Sequence, residues 1–116
     1  MSEIKILSSQ IPVSKLKELA AEQFIDMIKA VVDIEKKIMT VGGSLHSDEE
    51  KEMIKSGSEQ FNLWGINIYF DVNAEDRIEF DSMINIRPTQ ENRTRGVENP
   101  QTREKIISIV NKLIQF

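Results

Sequence analysis

Cysteine is absent from the 116 residues, which excludes disulfides, a thiol nucleophile, thiolate metal sites and cysteine-ligated iron–sulfur clusters. A reducing cytoplasm suits such a chain. No run of 18 apolar residues occurs and Glu3 and Lys5 interrupt the first apolar positions, so neither secretion nor membrane spanning is expected. Histidine occurs once, at His46, so any metal site would depend on carboxylates, and none is expected. HExxH, EF-hand, Walker and dinucleotide-binding glycine patterns are missing, and with them any sign of a cofactor. A basic surplus is missing too: the net charge of −4 argues against coating DNA or an anionic membrane through overall charge.

What is present fits one folded unit over residues 1–116. Apolar residues make up 40% and charged residues 29%, near globular averages, so neither disorder nor a fibre is indicated. The length allows one core and not two.

Ile4, Ile6 and Leu7 suggest a short strand before Pro12. Ser14 reads as the cap of a helix whose apolar stripe is Leu16, Leu19, Ala20, Phe24 and Met27. From Ile28 the period becomes two, with Ile28, Ala30, Val32 and Ile34 on one face. A turn at Glu35–Lys37 then leads into Ile38–Val41, a hairpin closed by Gly42 and Gly43. Ser47 and Glu50 have capping-box spacing for a short, mostly solvated helix ending at Gly57. Trp64, Ile66, Ile68 and Phe70 alternate with Gly65, Asn67 and Tyr69, and Ile78 to Ile86 alternates in turn, giving a second hairpin. Asn99 before Pro100 starts the last helix, with Ile106, Ile107, Val110, Leu113 and Ile114 as its stripe. The order β-α-β-β-α-β-β-α predicts an α+β fold: a mainly antiparallel sheet with helices on one face and a polar, open second face.

Of five arginines, Arg87, Arg93, Arg95 and Arg103 fall within 17 residues. Guanidinium offers a fork of donors matched to phosphate and carboxylate oxygens. The polar segment 87–95 leaves a strand and approaches the start of the last helix, where anions are favoured. Arg87, Gln90, Asn92, Arg93 and Arg95 are therefore the candidate ligand-binding residues, for an anionic small molecule, a nucleotide or RNA phosphate. Equally, the arginines could pair with Asp71, Glu75, Glu79 and Asp81 and merely fix the loop. Asp81 and Glu79, two apart on a strand, with His46 as proton donor, are the candidate catalytic set of a small hydrolase or nuclease-like enzyme; spacing of two is also what a solvated strand face gives. Tyr69 on the polar face could stack on a ligand, whereas Trp64 belongs to the core. A third reading is an interaction protein, a homodimer through a sheet edge or the last helix, with no ligand site.

The string Phe80-Asp81-Ser82-Met83-Ile84-Asn85-Ile86-Arg87-Pro88, followed by Asn92, Arg93 and the Glu98-Asn99-Pro100 helix start, resembles a family of short uncharacterised prokaryotic proteins, a domain of unknown function. Val41, Gly42, Gly43, Leu45, His46 and Asp48, and Asn62 to Asn67, resemble it too, extending the likeness over most of residues 26 to 114. The resemblance implies no activity. Relatives often carry glycine where this chain has Glu91, a departure that bears on close ligand approach at the loop.

Overall fold

The computed structural model describes residues 4–21 and 23–116. Its centre is β3 (Met27–Asp33), which pairs along its whole length with β5 (Leu63–Tyr69) and on its other side with β4 (Ile38–Val41). With β1 (Lys5–Leu7) and β6 (Ile78–Glu79) at the edges, the antiparallel order is β1-β4-β3-β5-β6. A separate two-residue parallel ladder joins β2 (Ile11–Pro12) to β7 (Ile114–Gln115). The helices are α1 (Val13–Ala20), α2 (His46–Lys55) and α3 (Pro100–Leu113). The expected α+β class and mainly antiparallel sheet are thus observed, and the element order differs from expectation by the added two-residue strands β2 and β7.

One sheet face carries Ile28, Ala30, Val32, Met39, Val41, Trp64, Ile66 and Ile68, covered by Leu16 and Ala20 of α1 and Ile106, Ile109, Val110 and Leu113 of α3. The expectation of helices on one face only is corrected here. The opposite face offers Val31 and Leu63, and α2 covers them with Met53, aided by Ile38 and Ile84. Two apolar patches on one sheet demand two covers, because exposed apolar area is unfavourable at roughly 25 cal/mol per Å².

Three element boundaries also differ from expectation. α1 begins after Pro12, with no side-chain cap from Ser14, and the stripe read to Met27 stops at Ala20; Met27 is drawn into β3 by its pairing with Tyr69. α2 starts at His46, and its cap position, Leu45, supplies no side-chain bond, so the Ser47–Glu50 box does not form. Instead Glu49 reaches back, its Oε2 accepting from the Gly43 amide at 3.0 Å. Gly43 permits this approach, since a Cβ there would lie 2.7 Å from Glu49 Cγ.

The strand expected over Ile78–Ile86 survives only as Ile78–Glu79. Beyond it the chain peels away through a 3-10 turn at Met83–Asn85. The side-chain amide of Asn85 takes over the ladder: its Oδ1 accepts from Gly65 N at 2.8 Å and its Nδ2 donates to Gly65 O at 2.9 Å. Ser82 packs where Gly65 lacks a side chain, a Cβ at 65 being only 2.6 Å from Ser82 Cβ. No helix among the described residues is long and apolar enough to cross a membrane.

Candidate functional site

The four clustered arginines are dispersed by the fold. Arg87 is 8% exposed and turned inward: Nε donates to Ile84 O at 3.0 Å, Nη1 to Gln60 O at 2.8 Å and Gln90 Oε1 at 3.1 Å, and Nη2 to Leu63 O. Its guanidinium lies 4.4 Å from the centroid of the Trp64 ring. Asn92 is likewise internal, its Nδ2 donating to Asn85 O at 2.7 Å and Gly96 O at 2.8 Å while its Oδ1 accepts from Glu98 N at 2.8 Å. Gln90 Nε2 donates to Phe61 O at 3.0 Å. Arg103 donates to the carbonyls of Val97 and Glu98 near the start of α3. Only the exposed side chain of Arg93 makes no hydrogen bond among the described residues, and its amide is held by Glu98 Oε2 at 2.5 Å. Glu91 takes a left-handed backbone, φ 59°, the conformation glycine adopts without steric penalty.

Arg95 goes elsewhere. Its Nε donates to Asp81 Oδ1 at 2.6 Å, and both residues line a cleft of about 270 Å³ on the α2 side of the sheet. The buried floor is His46, Asn67 and Ser82, the half-buried walls are Lys29, Asp81 and Ile84, and the exposed rim is Leu45, Ser47, Met83 and Arg95. Five chain segments meet here. β3 and β5 place Lys29 and Asn67 side by side through their register, and α2 contributes His46 from its first turn. The segment after β6 brings Asp81 and Ser82, tied to the Arg95 strand of the loop by Ser82 N donating to Arg95 O at 2.9 Å.

Two of the three acid–base candidates, His46 and Asp81, therefore share one cleft. Glu79 stands just outside it, its Oε1 accepting from Asn67 Nδ2 at 2.9 Å and from the Tyr69 hydroxyl at 3.1 Å. Tyr69 is occupied by that bond, and the Glu79 carboxylate beside it adds to burial in pushing the phenol pKa up.

The imidazole has a defined tautomer. His46 Nε2 lies 2.7 Å from Ile66 O, and a carbonyl only accepts, so Nε2 carries the proton and Nδ1 keeps a lone pair. Burial pulls the His46 pKa below its ordinary value, with Lys29 and Arg95 acting in the same direction and Asp81 and the Ile66 carbonyl opposing them. The ring is neutral at neutral pH, the state a general base needs. Arg95 offers only Nε to Asp81, and its two Nη groups have no protein partner among the described residues. Asn67 Oδ1 is buried without a partner.

Lys29, Asn67 and Ser82 were not legible as site residues, because on a strand or beside one they read as solvated polar positions. Glu49, wholly buried, was hidden for a different reason. His46, Glu49 and Met53 form the inward stripe of α2, a helical spacing that becomes visible only if a carboxyl is admitted to the core. Burial holds the Glu49 pKa well above its ordinary value, with the Gly43 amide and Lys29 opposing and Asp48 reinforcing. The folded state therefore binds a proton that the unfolded state releases. Its contribution is greatest below the ordinary glutamate range and is lost as pH rises toward the folded-state pKa. His46, with its lowered pKa, has the opposite slope, so Glu49→Gln should be compared with wild type: the variant's stability advantage should grow between about pH 5 and 8, as thermal melts at both values will read.

A surface groove of about 810 Å³ runs along α3, lined by Glu35, Lys37, Glu104, Lys105 and Lys112 among others, with charges of both signs along it. No group of three or more histidine, aspartate or glutamate side chains among the described residues is placed to hold a metal. The sequence matches the family described as protein of unknown function (DUF5674) over residues 5–113. No curated protein and no solved structure matches it.

Proposed function

Since the chain belongs to that family of unknown function, we propose an activity from its own chemistry: a small hydrolase that binds an oxyanion-bearing substrate in the His46–Arg95 cleft and activates water through His46. The observation carrying this reading is the convergence of a neutral imidazole, two cations and a carboxylate on one cleft, where perturbed titratable groups in a cleft are the usual mark of acid–base chemistry.

The roles follow from the geometry. Arg95 presents its two unpaired Nη groups to the anion while Asp81 holds the Nε edge and fixes the plane of the fork. Lys29 supplies a second positive charge from the wall. His46 Nδ1 takes a proton from the attacking water, and the Nε2–H bond to Ile66 O partly stabilises the imidazolium that results. The proton then passes to the leaving oxygen. The loop 87–95 contributes Arg95 to this site and otherwise serves the fold, since Arg87 and Asn92 bond to the protein's own backbone.

His46→Gln is expected to lower turnover by roughly 10²- to 10⁴-fold while leaving the affinity for inorganic phosphate within about twofold; Arg95→Ala should abolish phosphate binding. The assay pairs hydrolysis of p-nitrophenyl acetate and p-nitrophenyl phosphate with phosphate-induced NMR shifts at His46 and Asn67. If phosphate moves neither resonance, the reading is wrong; if phosphate binds and neither ester is turned over, its catalytic half is wrong.

A further inference from the structure

The rim of the cleft is chemically two-sided. Arg95 and Ser47 stand on it with two large apolar side chains, Leu45 at 56% and Met83 at 65% exposure, and Ile84 continues the apolar wall below Met83. Isolated exposed apolar residues need no explanation. These two belong to separate segments, the residue preceding α2 and the 3-10 turn after β6, and they flank the same opening. The volume is also informative: about 270 Å³ is some nine times the ~30 Å³ share of one water molecule. At about one water share per heavy atom, a phosphate head of five such atoms takes about half of it and leaves room for about four carbons.

Resting on the reading above, we infer that the substrate is a short-chain phosphate monoester or acyl phosphate, its phosphate head against Arg95 and Lys29 and a chain of about four carbons between Leu45 and Met83. A longer chain would run past Leu45 and Met83 into solvent and gain nothing further. The polar floor of His46, Asn67 and Ser82 then sits where head and chain join, placing the bond to be cleaved beside the His46 ring.

The test measures dissociation constants of the full chain for inorganic phosphate, methyl, butyl and hexyl phosphate. The four-carbon chain should tighten binding about 10- to 100-fold over the methyl compound, since each buried CH₂ contributes about 0.8 kcal/mol; the six-carbon chain should add nothing further. Leu45→Ser combined with Met83→Ser, both at exposed positions, should erase the gain while inorganic phosphate affinity stays within about twofold. A flat series with phosphate still bound would overturn this inference and leave the hydrolase reading standing, whereas loss of all anion binding would remove both. A gain that persists in the double variant places the chain elsewhere and also overturns it. Vesicles of phosphatidylcholine doped with phosphatidic acid present the same chemistry on a membrane, and binding them more tightly than butyl phosphate would overturn the short-chain assignment.

Discussion

Arg87→Ala is expected to destabilise the protein by about 3–5 kcal/mol, a large share of the 5–15 kcal/mol that holds a typical domain together. The side chain is a buried cation without a hydrogen-bonded carboxylate. It is held by the carbonyls of Ile84, Gln60 and Leu63 and by Gln90 Oε1, with Trp64 beneath it. Burial lowers its pKa and the Glu50 charge opposes this; guanidinium stays protonated regardless. Removing it strands the buried Leu63 carbonyl, at about 1–3 kcal/mol, takes the charge-assisted bonds from the partly buried Ile84, Gln60 and Gln90 acceptors, and uncovers the Trp64 ring. Arg87→Lys should recover little, because an ammonium lacks the planar fork that reaches carbonyls on both sides of the ring. Urea unfolding followed by the fluorescence of Trp64, the one tryptophan, measures both effects. A loss under 1 kcal/mol for the alanine variant would show that the carbonyls find other donors.

Asn85→Leu, which keeps the branched shape but adds bulk, should cost at least about 3 kcal/mol. Asn85 is wholly buried, and its amide answers both backbone groups of Gly65 and donates to Arg95 O at 3.0 Å. Leucine satisfies none of the three. Asn85→Asp should be no better, since a carboxylate can still accept from Gly65 N but faces the carbonyls of Gly65 and Arg95 without a donor. Hydrogen exchange gives the residue-level check: the Gly65 amide should pass from strongly protected to fast-exchanging in the leucine variant. Because Arg95 O also accepts from Ser82 N, the same substitution should loosen the cleft wall and weaken phosphate binding without touching any residue that meets the anion.

These two residues also mark the boundary of what the amino-acid pattern conveys. Periodicity located β3, β5 and most of the α3 stripe, because those elements bury apolar side chains at the spacing their own geometry imposes; in α3 it took the exposed Ile107 for an inward residue in place of Ile109, and it ran on to Ile114, which belongs to β7. It extended β6 to Ile86, since alternation continues there; what ends the strand is a polar side chain meeting a glycine 20 residues away in the chain, which no local pattern encodes. It left α2 on the edge of the fold because the buried side of that helix is carried by His46 and Glu49 beside Met53. The candidate residues divided for the same reason. His46 and Asp81 could be named from their chemistry alone, and the fold brings them to one cleft. Arg87 and Asn92 have equally suggestive chemistry, but their partners are carbonyls and amides, groups every residue possesses and composition cannot reveal.

The small ladder between β2 and β7 constrains how the protein comes into being. Ile11 pairs with Ile114, a loop closure spanning almost the whole chain, and α3, which supplies a quartet of core side chains, immediately precedes that last strand. During synthesis α1 and the sheet strands emerge first, and the face of Ile28, Ala30, Val32, Ile66 and Ile68 has only Leu16 and Ala20 of α1 to cover it until α3 leaves the ribosome. At about 5–20 residues per second, the 44 residues between Tyr69 and Leu113 leave that face exposed for seconds. The nascent chain is therefore most vulnerable to aggregation just before α3 emerges, and a variant lacking α3 would prolong that state indefinitely.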